Sequence, residues 1–204
     1  METESRFNER KTERYEEIIE AAFEVFVKKG FHQTKMEEIA RKAGIGKGTI
    51  YEYFPGKKEL FCGMVKQCMT WYYDSIKQSA EKGGDFKQKL ENMMDTQMKF
   101  ATHTRSMANL LFHDFAYISR DLHMWIIEGQ KKMVKLVEDV LQQGIDEGRL
   151  RHVDIHLAAV MFLTSWRIFF AESVFNDNND TELSLEKMKE KALDILFNGI
   201  LKKM

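Results

Sequence analysis

Apolar residues recur along this chain at spacings of three and four, not two. Tyr15, Ile18, Ile19, Ala22, Phe23 and Phe26 fall on one stripe of a helix, and the stripe closes on Lys28, Lys29 and Gly30, a basic last turn followed by a glycine. This predicts a helix over about residues 11–29, behind a flexible arm of residues 1–10. Thr34 and Glu37 then form a T-x-x-E capping box ahead of Met36, Ile39, Ala40 and Ala43, so a second, short helix is expected, stopped by Gly44. Ile50 and Phe54 mark a third short helix that closes before Pro55.

From Gly56 onward the stripes lengthen. A helix over about residues 57–82 ends at Gly83 and Gly84, Asp85 with Gln88 opens another to about 102, and a shorter one follows near 106–116. A long helix over about 119–147 stops at Gly148. Asp154 caps an apolar helix to about 175, and the polar loop NDNNDTE, residues 176–182, precedes a last helix over about 184–202. The prediction is an all-α chain of about nine helices, with a three-helix domain over 11–60 and a larger helical domain over 61–204. A single proline in 204 residues, with abundant Leu, Met, Lys and Glu, agrees.

The longest apolar block, LAAVMFLTSWRIFFA at 157–171, is too short to span a bilayer and is interrupted by Arg167, so it reads as a core or interface helix and no membrane partner is expected. The N-terminus METESRFNERKTER has no apolar run like that of a signal peptide, which points to a cytoplasmic location. Cys62 and Cys68, six apart, fall on different helix faces and read as reduced and packed.

Charge and helix breakers change this picture at one place. Four of the twelve glycines (Gly44, Gly46, Gly48, Gly56) and the only proline crowd into AGIGKGTIYEYFPGKKELF, residues 43–61. Residues 28–58 carry eight Lys or Arg (positions 28, 29, 35, 41, 42, 47, 57 and 58) against three acids, a net of +5, although the whole chain sums to −1. A basic segment on an acidic body suggests that one end meets a polyanion. Two short helices joined by a tight glycine turn form a helix-turn-helix, whose second helix enters the major groove of DNA. Ala40 sits where the two helices cross, Gly44 permits positive φ in the turn, and Ile39, Ala43, Ile45 and Ile50 form a small core with helix one.

Lys47, Lys57 and Lys58 stand at helix starts, where the macrodipole disfavours cations unless an anion is bound there. Gly46, Gly48 and Gly56 leave backbone uncovered for such an approach. On a helical wheel Ile50 and Phe54 point inward, which turns Gly48, Thr49, Glu52 and Tyr53 toward the groove. Thr49 suits a base edge or a thymine methyl. Glu52 suits cytosine N4, with plain solvent exposure as the equal alternative. Tyr51 and the lysines, Lys35 among them, suit phosphates, which position a protein without reading sequence. Arg6 and Arg10 on the arm either touch DNA or belong to a disordered tail.

TKMEEIARKAGIGKGTIYEYFPGKKELF, with the preceding EEIIEAAFEVFVKKGF, resembles the signature of the TetR (tetracycline-repressor-like) family of bacterial transcription regulators, over about residues 11–62. The resemblance implies a homodimer that binds a palindromic double-stranded operator and leaves it when a small molecule occupies the second domain. By position, Lys47, Gly48, Thr49, Tyr51, Tyr53 and Lys57 match family positions that contact DNA, and Thr34 caps helix two near the DNA backbone. Where the family often has an aromatic residue followed by histidine, this chain has Glu52 and Tyr53, which leaves the operator sequence open.

In the second domain Met93, Phe100, Phe112, Phe115, Trp125, Phe162, Trp166 and Phe170 are candidates for a hydrophobic effector pocket, and core packing is the plainer reading of each. Arg167 either pairs with an acid such as Glu172 or meets a ligand carboxylate. By analogy at the level of fold, the effector is a hydrophobic compound such as a drug, a lipid or a fatty-acyl derivative. The last helix is apolar on two faces. Leu185, Met188, Ala192, Ile195 and Leu196 are the candidates for a dimer interface. His152 and His156 are spaced i, i+4, but Asp154 caps a helix between them and no third ligand follows, so no metal or cofactor is expected. No nucleophile with a placed base and no phosphate loop is seen, so the chain is not read as an enzyme. The function expected is a ligand-responsive transcriptional repressor. Alternatives are an activator, a ligand-independent DNA-binding protein, or a small-molecule-binding helical protein with a vestigial DNA head.

Overall fold

A computed structural model describes the backbone of residues 2–103, 119–175 and 181–200, and the side chains of residues 10–100, 119–165, 187 and 189–198. Eight helices are found among these residues: α1 (Glu2–Gln33), α2 (Met36–Lys42), α3 (Lys47–Tyr53), α4 (Lys57–Glu81), α5 (Phe86–His103), α6 (Arg120–Asp146), α7 (Ile155–Phe175) and α8 (Thr181–Ile200). The helix expected near 106–116 lies outside the described residues. The chain divides into two compact units, the first holding α1–α3 with α4 through Thr70 and α6 through Met124, the second α4 from Trp71, α5, α6 from Trp125, α7 and α8.

In the first unit the predicted stop at Gly30 is present as a break inside α1, with φ 73° and ψ 170° at that residue. The helix begins at Glu2, not near residue 11, so residues 2–10 extend α1. Past the break, Phe31 returns to the core and joins Phe26 and Phe61 in a cluster with ring centroids 5.3–6.0 Å apart. Phe26 and Phe61 are fully buried, and each such side chain contributes about 1.5–3 kcal/mol from apolar burial. Ile18, Ala22, Ile39, Ile50 and Leu60 are fully buried around them. Ala43 and Ile45, expected in this core, are only half-buried.

The second unit is closed at one end by Phe86, Leu150 and Gly144. Gly144 stands where an added Cβ would lie 2.7 Å from Leu150 Cδ1 and 2.8 Å from Phe86 Cγ. Phe86 meets Phe197 edge-on at 6.4 Å and carries the Arg149 guanidinium over its ring at 5.0 Å. Arg149 pairs with Asp85, and that carboxyl is held below its usual value, first by the hydrogen bond from Arg149. Both predicted caps are present: the Gln88 N–H donates to Asp85 Oδ1, and the Leu157 N–H to Asp154 Oδ1, each at 2.9 Å. α5 packs against α7 and α8, and α7 against α8. Lys189 of α8 reaches Asp95 of α5 at 2.7 Å. Cys62 and Cys68 are not joined in a disulfide, and burial pushes the Cys68 thiol up to about 11. Among the described residues no helix is long and apolar enough to cross a membrane.

Candidate nucleic-acid interface

The turn between α2 and α3 is a Schellman stop. Gly44 takes φ 66°, its N–H donates to the Arg41 carbonyl at 3.2 Å, and the Ile45 N–H reaches back to the Ala40 carbonyl at 2.9 Å. Ala40 is 2% exposed at this crossing, as its small side chain predicted. The N-terminal end of α2 departs from expectation. Its cap position is Lys35, whose N–H donates to Glu38 Oε2 at 3.4 Å, one half of a capping box in the frame 35–38. Thr34, assigned above as the cap, is buried and donates its hydroxyl to the Gly30 carbonyl at 2.8 Å, closing the broken end of α1. Two overlapping frames, T-x-x-E and K-x-x-E, lie in the sequence, and the carbonyl freed at Gly30 decides between them.

Lys57 also has a role that its place at a helix start concealed. Its ammonium donates to the His32 and Thr34 carbonyls at 3.1 and 2.9 Å and sits 4.6 Å over the Phe31 ring. It therefore ties α4 to the segment after the Gly30 break. Its acceptors are backbone atoms, which no side-chain pattern announces.

α3 turns Ile50 and Phe54 into the core and leaves Gly48, Tyr51 and Glu52 exposed, with Thr49 and Tyr53 half-buried beside them. An added Cβ at Gly48 would meet nothing within 4 Å, so the fold places no demand for glycine there. Gly46 is the N-cap residue of α3 and offers no side-chain cap to the free N–H groups. Lys47 lies beside Glu37 at 2.7 Å. The hydrogen bond from Lys47 holds the Glu37 carboxyl below its usual value, and the same bond raises the lysine. Lys29 pairs with Glu38 and Lys42 with Glu24, both at 2.7 Å, so part of the positive charge counted in the sequence is balanced locally. Lys35, Arg41 and Lys58 are exposed. Arg10 and Arg14 of α1, with Glu52 and Tyr53 of α3, line an open polar groove of about 740 Å³. Arg10 therefore belongs to a helix flank and not to a loose tail.

Among the described residues, Phe100 and Trp125 of the proposed effector set are joined through Tyr72 and Tyr73, whereas Phe162 lines a groove that includes neither. Met93 is fully buried on α5, Phe100 packs on Tyr72 at 4.5 Å, and Trp125 packs on Tyr73 at 5.8 Å. The Tyr73 hydroxyl donates to the Ile126 carbonyl at 3.2 Å, and burial pushes its pKa up to about 12. Phe162 instead lines an open apolar groove of about 730 Å³ with Met94, Leu157, Met161, Ala192, Ile195 and Leu196. Three of the residues assigned to a dimer interface thus share a groove with one assigned to the effector. Phe112 and Phe115 lie outside the described residues, as do the side chains of Trp166, Arg167, Phe170, Leu185 and Met188. His152 lines the same groove, and His156 faces Glu138 at 2.8 Å.

A glycine-turned pair of short helices with one exposed face, carried on a cationic segment and followed by a separate helical unit, defines a helix-turn-helix DNA-binding transcriptional regulator. The profile described as "Bacterial regulatory proteins, tetR family" matches residues 18–64, and "Tetracyclin repressor-like, C-terminal domain" matches residues 83–167. The chain belongs to the TetR family, whose members are non-enzymatic transcription regulators. It is similar to the fatty acid metabolism regulator protein of Bacillus subtilis, 25% identical over 198 residues that cover 93% of this chain and 97% of that one. It is also similar to the transcriptional activator FasR of Mycolicibacterium smegmatis, 23% identical over 190 residues, covering 92% and 83%. Its fold matches the crystal structure of the regulator FadR from Bacillus subtilis in complex with stearoyl-CoA, with a TM-score of 0.71 at 24% identity, over 91% of this chain and 99% of that one.

Proposed function

We propose that the protein is a homodimeric repressor that grips a palindromic operator through α3 and is released by a long-chain fatty acyl thioester. The observation that carries the DNA-binding half is the bare, exposed face of α3 at Gly48, where nothing in the protein requires a missing side chain. Thr49, Glu52 and Tyr53 read bases, while Lys35, Lys47, Tyr51 and the backbone at Gly46 hold phosphates. Glu37 keeps the Lys47 ammonium in place until a phosphate competes for it. Such an exposed pair yields readily to a polyanion.

The groove on α7 and α8 supports a dimer. Leu157, Met161 and Ile195 are 55%, 62% and 73% exposed, more apolar surface than a lone subunit keeps uncovered without a partner. A twofold axis at Ala192, Ile195 and Leu196 makes this face self-complementary and spaces two α3 helices about one DNA turn apart. The acyl effector is supported by the Bacillus subtilis relatives, a fatty acid metabolism regulator and a FadR bound to stearoyl-CoA, together with the Met-rich and aromatic lining of α5. α4 is one continuous helix that starts at Lys57 in the reading unit and carries Tyr72 and Tyr73 in the other. An effector that prefers a shifted α4 acts on the reading head in proportion to that preference.

The test uses a duplex selected by the protein from a random pool. Binding should weaken with a log-log salt slope of about −0.9 per phosphate neutralised, and stearoyl-CoA should release the duplex. A flat slope refutes the DNA reading. The similarity to an activator favours a second reading in which occupancy turns genes on. Transcript levels of neighbouring genes in a deletion strain decide, since derepression supports only the first.

A further inference from the structure

Gln97 on α5 is fully buried, and neither its Oε1 nor its Nε2 has a hydrogen-bond partner. Native proteins rarely leave a buried side-chain amide open at both ends, because both polar atoms have given up water and received nothing in return. The neighbouring polar groups are treated differently. At the contact between α4 and α5, Ser79 and Thr96 meet at 2.6 Å, and each also bonds a carbonyl of its own helix, Ser75 at 2.7 Å and Asn92 at 3.0 Å. Gln97, the next residue along, is left unserved.

Gln97 shares its face of α5 with apolar residues and lies close to one buried hydroxyl. Helical spacing sets Met93, Gln97 and Phe100 on one face of α5, and the Phe100 ring lies on Tyr72 of α4. The amide is near enough to the buried Tyr72 hydroxyl to oppose the rise in its pKa that burial causes, yet the two do not meet in hydrogen-bond geometry. A neutral amide in apolar company suits a neutral carbonyl. A carboxylate there would need a cation to offset its desolvation.

We infer that Gln97 is the polar anchor of the effector site, its Nε2–H donating to the carbonyl of an acyl thioester whose chain lies among Met93, Phe100 and Tyr72. This rests on the acyl-effector reading above, and it names the residue and the ligand atom that recognise each other. The amide costs the empty protein stability and recovers it only when a ligand carbonyl arrives, so recognition is built from a defect of the empty state.

The experiment titrates the full-length protein and Gln97→Met with stearoyl-CoA and with its S-octadecyl thioether, in which a CH2 replaces the carbonyl. The natural protein should prefer the thioester about tenfold, the scale of one buried hydrogen bond. Gln97→Met should bind the two alike and, without ligand, melt a few degrees higher, because an open polar group has been replaced by a side chain of similar shape. If the natural protein binds both ligands equally, the assignment of Gln97 falls while the acyl reading stands. If it binds neither, the acyl reading falls and takes this inference with it. A Gln97→Met protein that keeps the preference, or melts lower than the natural one, also overturns it.

Discussion

Gly48→Ala separates what the fold needs from what DNA needs. Gly48 is the second residue of α3, its added Cβ would have no neighbour within 4 Å, and its φ is not in the left-handed region. Alanine therefore fits without strain and gains the helix-propensity difference, about 0.5 kcal/mol at the lower end of the Gly-to-Ala range because the site is in a first turn. For a chain of this size that is a rise in Tm of about 1–2 °C. The same methyl stands on the exposed face of α3. If that face seats against a duplex, the methyl occupies space the DNA must enter, at a cost of about 1–3 kcal/mol, or roughly five- to a hundredfold in Kd. Thermal unfolding and fluorescence anisotropy on a selected duplex, done on one preparation, read both effects. A variant that melts higher and binds as tightly as the natural protein refutes the placement of α3 in the groove.

Three further outcomes follow from contacts already described. Gly144→Ala should lower Tm, since its Cβ collides with the buried Phe86 and Leu150 and overpacking of about 1–3 kcal/mol exceeds the helix gain; an unchanged or raised melt would show that this end of the unit is loosely packed. Lys57→Met keeps the stem over Phe31 but strips the His32 and Thr34 carbonyls of their donor, so chemical denaturation should show a loss of about 1–3 kcal/mol and weaker duplex binding; weaker binding with no loss of stability would return Lys57 to the phosphate role. Glu37, Glu38 and Asp85 have folded pKa values below their unfolded ones, through hydrogen bonds from Lys47, Lys29 and Arg149, so their stabilisation is complete above about pH 5 and is lost as pH falls below about 4. A melting profile against pH should show that acid limb, shallower in Asp85→Asn.

Helix order and most boundaries were readable because glycines, aspartate caps and apolar stripes act within a few residues of one another. Gly30, Gly44, Asp85, Gly148 and Asp154 all do what their local setting predicts. Misreadings occur where a distant backbone group competes for a side chain. Thr34 reads as a cap until Gly30 offers a free carbonyl, and Lys57 reads as a phosphate ligand while its ammonium also donates to carbonyls twenty-three and twenty-five residues away. The apolar stripe begins only at Tyr15 and so gives no sign of the first turns of α1, whose polar residues continue the helix without an apolar signal. In the sequence Leu157 and Met161 belong to an undivided apolar block, since α7 has apolar residues on every side and periodicity cannot tell its inner from its outer face. Gln97 carries no sequence signal, because an open amide differs from a bonded one only in what stands around it.

The tie made by Lys57 differs in kind from the carboxylate pairs around it. Its acceptors are carbonyls, which never take up a proton and hold no net charge for added electrolyte to shield. Concentrated salt that strips the protein from a nucleic acid column should therefore release a reading head with its shape intact. On dilution it would rebind at once, with no refolding lag.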